Sequence, residues 1–402
     1  MWLKAFRLRN YKSFADSGTC DLDNRVNVIV GQNNTGKTAL LQSLSFQLSP
    51  IPHRSSKLRR EDMPNPHSTL DFQFVFSGQE LRDTLLSFNS NVDVPIPKEW
   101  AQLPDPKNAT QTKIFEQREI VFSAQHIVSG ELNAMQTTGY PSVTYSEAGS
   151  GHFIRLVRGA DHASFRVDGL GQGENDNIAT TLAPLLRQKL YLFNAQRSPN
   201  PRYPFGDRRQ LAQDASNLAE VLATLQPYPT AYRNYVDQVR RVLPLIKWIS
   251  ITGAGGNEIE VRVWQVDETS GRDDLTVPLS QCGTGVGQVL SILYVVTQLS
   301  GNVIVIDEPT SFLHPGAAKA LMTILREDQK NQYIISTHSP EVIVAVDPAR
   351  LIALGFEDEA TTVKQVNGSD LNSTRDILHA LGSRLSDVFG ADFIVWVEGP
   401  TR

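Results

Sequence analysis

"VNVIVGQNNTGKT", residues 26 to 38, decides the fold. Its first five residues read as a short buried strand, and "TALLQSLSFQL" (38–48) after it has helical apolar spacing. Between them stands G-x-x-x-x-G-K-[ST], and the strand-to-helix setting gives that pattern its mechanism. Gly31 and Gly36 let the backbone of Gln32, Asn33, Asn34 and Thr35 wrap closely, so that amide N–H groups point at phosphate oxygens. The positive end of the following helix adds to the attraction. Lys37 is expected to reach the β- and γ-phosphates, and the Thr38 hydroxyl to ligate Mg²⁺.

Three further stretches carry chemistry. "NVIVIDEP" (302–309) buries a strand and releases two carboxylates at its C-terminal end, where open α/β sheets bind ligands. Side chains alternate along a strand, so Asp307 is assigned to the Mg²⁺ shell and Glu308 to the attacking water. "QYIISTHSP" (332–340) is another buried strand, ending near His338, which the strand order should bring beside the γ-phosphate. "PLSQCGTGVGQ" (278–288) places Ser280, Gly283 and Gly285 just ahead of a helix, a second anion cradle. One nucleotide needs one P-loop, so the second cradle implies a site completed across a dimer.

Strands and helices alternate from residue 278 onward, which predicts an α/β fold with a mainly parallel sheet and helical crossovers. An antiparallel layer is expected from the short alternating runs between 118 and 168. "STLDFQFVFS" (68–77) reads as an edge strand, "GLGQGEND" (169–176) as a flexible loop, and the proline-bearing 92–110 as a loop or insertion. Composition is that of an ordinary globular protein, with 40% hydrophobic and 20% charged residues. A net charge of −5 argues against a wholly nucleic-acid-coating surface, while leaving room for local basic patches. Two cysteines, Cys20 and Cys282, have no metal-binding spacing and fit free thiols in a reducing compartment. The N-terminus lacks a signal-peptide core, and "VLSILYVV" (289–296) is too short to span a bilayer, so a cytoplasmic location without membrane contact is expected.

Taken in order, Gly31–Thr38, Ser280–Gln288, Asp307–Glu308 and His338 resemble the ABC-type ATPase head. "LRNYKSF", "DEPTSFLHP" and "STHSPEVI" look like the branch holding RecF, the structural-maintenance-of-chromosomes (SMC) proteins and the OLD (overcoming lysogenization defect) family. "DASNLAEVL" (214–222) and "LFNAQRSP" (192–199) are similar to OLD-type ATPases. The resemblance implies ATP and Mg²⁺ as cofactors, and a homodimer or higher homo-oligomer in which two heads sandwich ATP. The Ser280 cradle would then touch the γ-phosphate held by the partner's Lys37. Residues 1–370 are read as the ATPase domain, with a variable insertion at 85–190.

This sequence departs from the family in places. The signature is "LSQCGTGVGQ" rather than "LSGGQ"; Gln73 is the candidate for the Mg²⁺-sensing glutamine, and Arg197 a candidate for contact with nucleotide or DNA. OLD proteins carry a metal-dependent Toprim nuclease after the ATPase. "FIVWVEGPT" (393–401) resembles its opening strand, with Glu398 at the position of a metal-binding glutamate, so 371–402 is read as a linker and the first strand of a truncated Toprim-like domain. One glutamate cannot support two-metal cleavage, and no nuclease activity is expected of this chain. The expected function is thus an ATP-hydrolysing module that controls DNA processing or anti-phage defence. The alternatives are a sensor or scaffold acting on a separate effector protein, and a RecF-like repair ATPase. A transporter subunit is disfavoured because 249 residues separate Gly31 from Ser280, and a coiled-coil ATPase because the intervening segment lacks heptads. Arg54, Lys57, Arg59 and Arg60, with Arg202, Arg208 and Arg209, form basic runs that could contact DNA.

Overall fold

Apolar runs such as Val303–Ile306 make sense only in a sheet covered on both faces, and that is where they lie. The computed structural model describes residues 1–44, 48–56, 67–88, 91–96, 102–105, 108–109, 115–127, 132–138, 150–158, 165–174, 189–194, 199–200, 202–212 and 214–368. Its central sheet has six strands in the order Leu190–Phe193, Val303–Asp307, Gln332–Thr337, Val26–Gly31, Arg350–Glu357 and Ala360–Asn367. The first five run parallel and the last folds back as an antiparallel hairpin. Alternate residues divide between two cores. Val28, Val30, Ile304, Ile306, Tyr333 and Ile335 face one, with the helices Leu218–Leu225, Pro229–Val242, Thr284–Gln298 and Pro315–Glu327. Ile29, Val303, Val305 and Ile334 face the other, with the helix Lys37–Leu44.

An antiparallel layer covers that second face. Its strand Trp2–Tyr11 pairs with Thr69–Phe76, which pairs with Ile120–Ile127 and so with Leu132–Thr138. Thr69–Phe76 is therefore an interior strand and not the expected edge, because its second partner arrives from about 50 residues downstream, beyond any local pattern. Phe72, Phe74 and Phe76 are buried, while Gln73 lies opposite Ala5 and Ser123 on the exposed face. "GLGQGEND" is also corrected: Gly169–Glu174 continue the strand Phe165–Glu174, paired with Ser150–Arg158. Gly171 serves packing there, since a Cβ would collide with the Phe153 ring. A smaller sheet containing Trp248–Gly255 and Glu258–Trp264 ends in Thr276–Pro278, which leads straight into the second glycine-bearing cradle. Among the described residues no helix is long and apolar enough to cross a membrane. Cys20 and Cys282 are both free; burial pushes the Cys20 thiol up to about 12.

Candidate functional site

The loop from Gly31 to Lys37 is held from three sides. Gly36 has φ +97°, and a Cβ there would stand 2.7 Å from the Ser13 hydroxyl and 2.9 Å from the Phe14 ring, so only glycine fits. Asn34 also takes a left-handed φ of 69°. The Thr35 hydroxyl donates to the Gln32 carbonyl at 2.8 Å, closing the turn from inside. From outside, the Thr361 hydroxyl lies 3.0 Å from the Thr35 carbonyl and 2.7 Å from the Ser13 hydroxyl. Lys37 is buried and donates to the carbonyls of Gly31 and Gln32 at 2.8 and 3.0 Å. Its burial lowers the ammonium pKa, and the carboxylates of Glu308 and Asp307 oppose that shift.

Strand parity brings the acids to this loop. Val303 and Val305 face the core beneath the helix Lys37–Leu44, so Asp307 faces the same way and accepts from the Thr38 hydroxyl at 2.9 Å. Ile334 shares that face on the adjacent strand, so Ser336 follows it and donates to the other Asp307 oxygen. Glu308 leaves the strand with φ 46° and its N–H accepted by the Ser336 carbonyl at 3.1 Å. That left-handed residue turns its carboxylate away from Asp307 and onto the His338 Nδ1, 2.8 Å away. The Glu308 side chain is largely buried at 15% exposure and His338 is open at 63%, so the pair has an enclosed side and a solvent side. The motifs assigned from sequence, Lys37, Thr38, Asp307, Glu308 and His338, are thus brought together.

A cavity of about 680 Å³ opens over Lys37, Thr38, Asp307 and Glu308, lined also by Lys12, Ser13, Arg54 and Phe356, while His338 reaches the site through Glu308. Arg54, read from sequence as part of a basic run, belongs to this wall. Lys12, Ser13 and Phe356 went unassigned; Ser13 lies in the "NYKSF" stretch, which carried a resemblance but no role. Thr38 and Asp307 present a hydroxyl and a carboxylate, hard oxygen donors that suit Mg²⁺, an ion that keeps waters and substrate phosphates as its remaining ligands.

The other candidates sit elsewhere. Gln73 is not among the residues lining this cavity, and its strand pairing accounts for it. Arg202 faces Glu260 at 3.8 Å, Arg209 stacks on Tyr228 with its guanidinium 5.4 Å from the ring centre, and the Arg208 N–H donates to Glu220. Lys57, Arg59, Arg60, Arg197 and Glu398, with the strand expected around it, lie outside the described residues. Ser280 and Gly283 are exposed, with Gly283 capping the helix Thr284–Gln298. Gly285 departs from the exposed cradle: it is buried, and a Cβ would meet the Phe312 carbonyl oxygen at 2.6 Å.

A P-loop, a carboxylate pair and a histidine converging at the C-terminal edge of a parallel sheet define an ATPase head. Two family models agree. "AAA domain, putative AbiEii toxin, Type IV TA system" matches residues 150–345, and "AAA ATPase domain" matches residues 1–137. In structure, the chain is similar to an SMC head solved with the C-winged helix domain of ScpA, at 13% identity and a TM-score of 0.52, covering 93% of this chain and 100% of that one. It also matches the SMC head domain of Thermotoga maritima (13% identity, TM-score 0.45, 91% and 100% covered). A Pyrococcus furiosus head bound to the C-terminal domain of ScpA matches at 11% identity, TM-score 0.48, with 95% and 100% covered. No curated protein matches the chain in sequence. The chain thus contains two stretches that match AAA-type ATPase domains, and its fold is that of an SMC-head, ABC-type P-loop structure.

Proposed function

We propose that this chain is a Mg²⁺-dependent, ATP-hydrolysing head that dimerises on ATP and controls a DNA-processing or anti-phage defence activity of the OLD type. The observation that carries the reading is the continuous contact chain Thr38–Asp307–Ser336 beside Glu308–His338. It separates two tasks that hydrolysis needs. Asp307 and Thr38 would hold the metal, which would supply charge neutralisation at the phosphates. Glu308, angled away by its left-handed backbone, polarises the attacking water, and His338 holds the carboxylate in place from the open side. Lys37 exchanges its loop carbonyls for phosphate oxygens. The exposed Ser280 cradle contacts the γ-phosphate of the ATP held in a partner head's P-loop, so each closed dimer contains two composite sites. The nuclease or other effector is a separate activity, in a further domain or another protein.

Glu308→Gln tests this directly. Phosphate release should fall by about 10²- to 10⁴-fold, the range for removal of a positioned general base. ATP affinity should persist, and light scattering should show accumulation of a dimer in ATP. Turnover equal to wild type would remove Glu308 from the chemistry.

A further inference from the structure

The cavity over the P-loop has one wall that phosphate chemistry leaves unexplained. Phe356 is 54% exposed, an apolar ring held against water. The strand Arg350–Glu357 runs parallel to the P-loop strand, with Leu354 opposite Gly31. Leu354 is the last residue paired there, so Phe356, two residues on and of the same strand parity, extends past the end of the P-loop strand.

Its placement is fixed rather than floppy. Phe356 pairs across the hairpin with Thr361, the residue whose hydroxyl meets the Thr35 carbonyl and Ser13. The hairpin reverses through Asp358 and Glu359, both left-handed at φ 51° and 65°, the two-residue turn that matches strand twist. Glu359 then accepts from the hydroxyls of Ser55 and Ser56 at 2.8 and 2.6 Å. That contact ties the hairpin to the segment delivering Arg54 to the same cavity. Phe356 borders both this cavity and the groove along the other side of Gly31–Thr35, so its ring stands at the rim of the loop.

A nucleotide whose phosphates occupy the loop brings its flat base within reach of that rim. Among the described residues, two aromatic side chains line the cavity, and of these His53 is buried with Nδ1 2.9 Å from the Lys12 carbonyl. Among the described residues lining it, Phe356 alone offers an open aromatic face. We propose that Phe356 is the stacking platform for the nucleobase, which makes the Arg350–Asn367 hairpin the base-reading element of the head and favours purines through their larger stacking area. The inference rests on the ATP-site reading above.

Titration calorimetry with ATP, CTP and inorganic tripolyphosphate, in Mg²⁺, separates the two. For Phe356→Ala, ATP affinity should drop on the order of 10- to 100-fold, the range for losing one base–aromatic stack. Tripolyphosphate affinity should be unchanged, the ATP-over-CTP preference should narrow, and Phe356→Trp should restore ATP binding. Unchanged ATP affinity in the alanine variant, or an equal fall for ATP and tripolyphosphate, overturns the platform while leaving the ATP site standing. A wild-type chain that binds neither ATP nor tripolyphosphate overturns both.

Discussion

The chain carries two glycine-bearing cradles at the starts of helices, and they are built differently. Gly31–Thr38 is locked from inside by Thr35, from below by Lys37 and from outside by Thr361 of a distant hairpin. Ser280–Gly285 has an exposed serine, an exposed cap at Gly283 and a buried glycine behind them. The first is finished by its own chain. The second presents its polar groups outward while its back is fixed, the arrangement expected of a surface that meets something else.

The sharpest way to break that contrast is to disable the finished cradle. Lys37→Ala should lose ATP binding by more than about 100-fold, since it removes a cation bound to phosphate in a partly desolvated site. Calorimetry showing retained affinity would mean that the loop is not a phosphate cradle. A smaller and more selective effect is expected at the open one. Ser280→Arg should leave ATP binding by the single head intact while lowering hydrolysis about 10-fold, on the order of one lost transition-state contact. Mixing it with Lys37→Ala should then restore no more than one composite site per dimer. If Ser280→Arg hydrolyses ATP like wild type, the two cradles do not cooperate.

The smallest effect concerns pH. Burial lowers the Lys37 pKa below the ordinary 10.5, so the unfolded chain holds that proton more tightly than the folded one. Nucleotide-free protein therefore gains stability as pH rises from the lowered value towards 10.5, and the cost of burying the ammonium is complete below that window. Compared with Lys37→Met, wild type should gain in denaturant midpoint between neutral pH and about pH 10. A difference that stays flat with pH would show that the ammonium is not under this strain.

The locked cradle was also the legible one. Its strand, loop and helix are contiguous, and the acidic strand and the His338 strand are apolar runs that only a doubly covered parallel sheet accommodates. Thr361 and Glu359 were illegible because they act across more than 300 residues and stand in "EDEATTV", which has no apolar signature. Gly171 misled for a related reason. A glycine that looks like loop chemistry was making room for Phe153, and nothing local announces which ring will lie across it. Thr69–Phe76 looked like an edge because alternation reports one buried face and says nothing of how many neighbours a strand has. Arg54 was read by charge alone, whereas its place depends on the carboxylate of Glu359 anchoring the next two residues.

Gly285 has a consequence of its own. Because it lacks a side chain, the start of the helix Thr284–Gln298 rests on the Phe312 carbonyl, four residues past Glu308. The Ser311 N–H donates to the Glu308 carbonyl at 3.2 Å, which closes a turn between the two residues. The outward-facing cradle and the segment that follows Glu308 are therefore joined by a close contact that any side chain at position 285 would push apart.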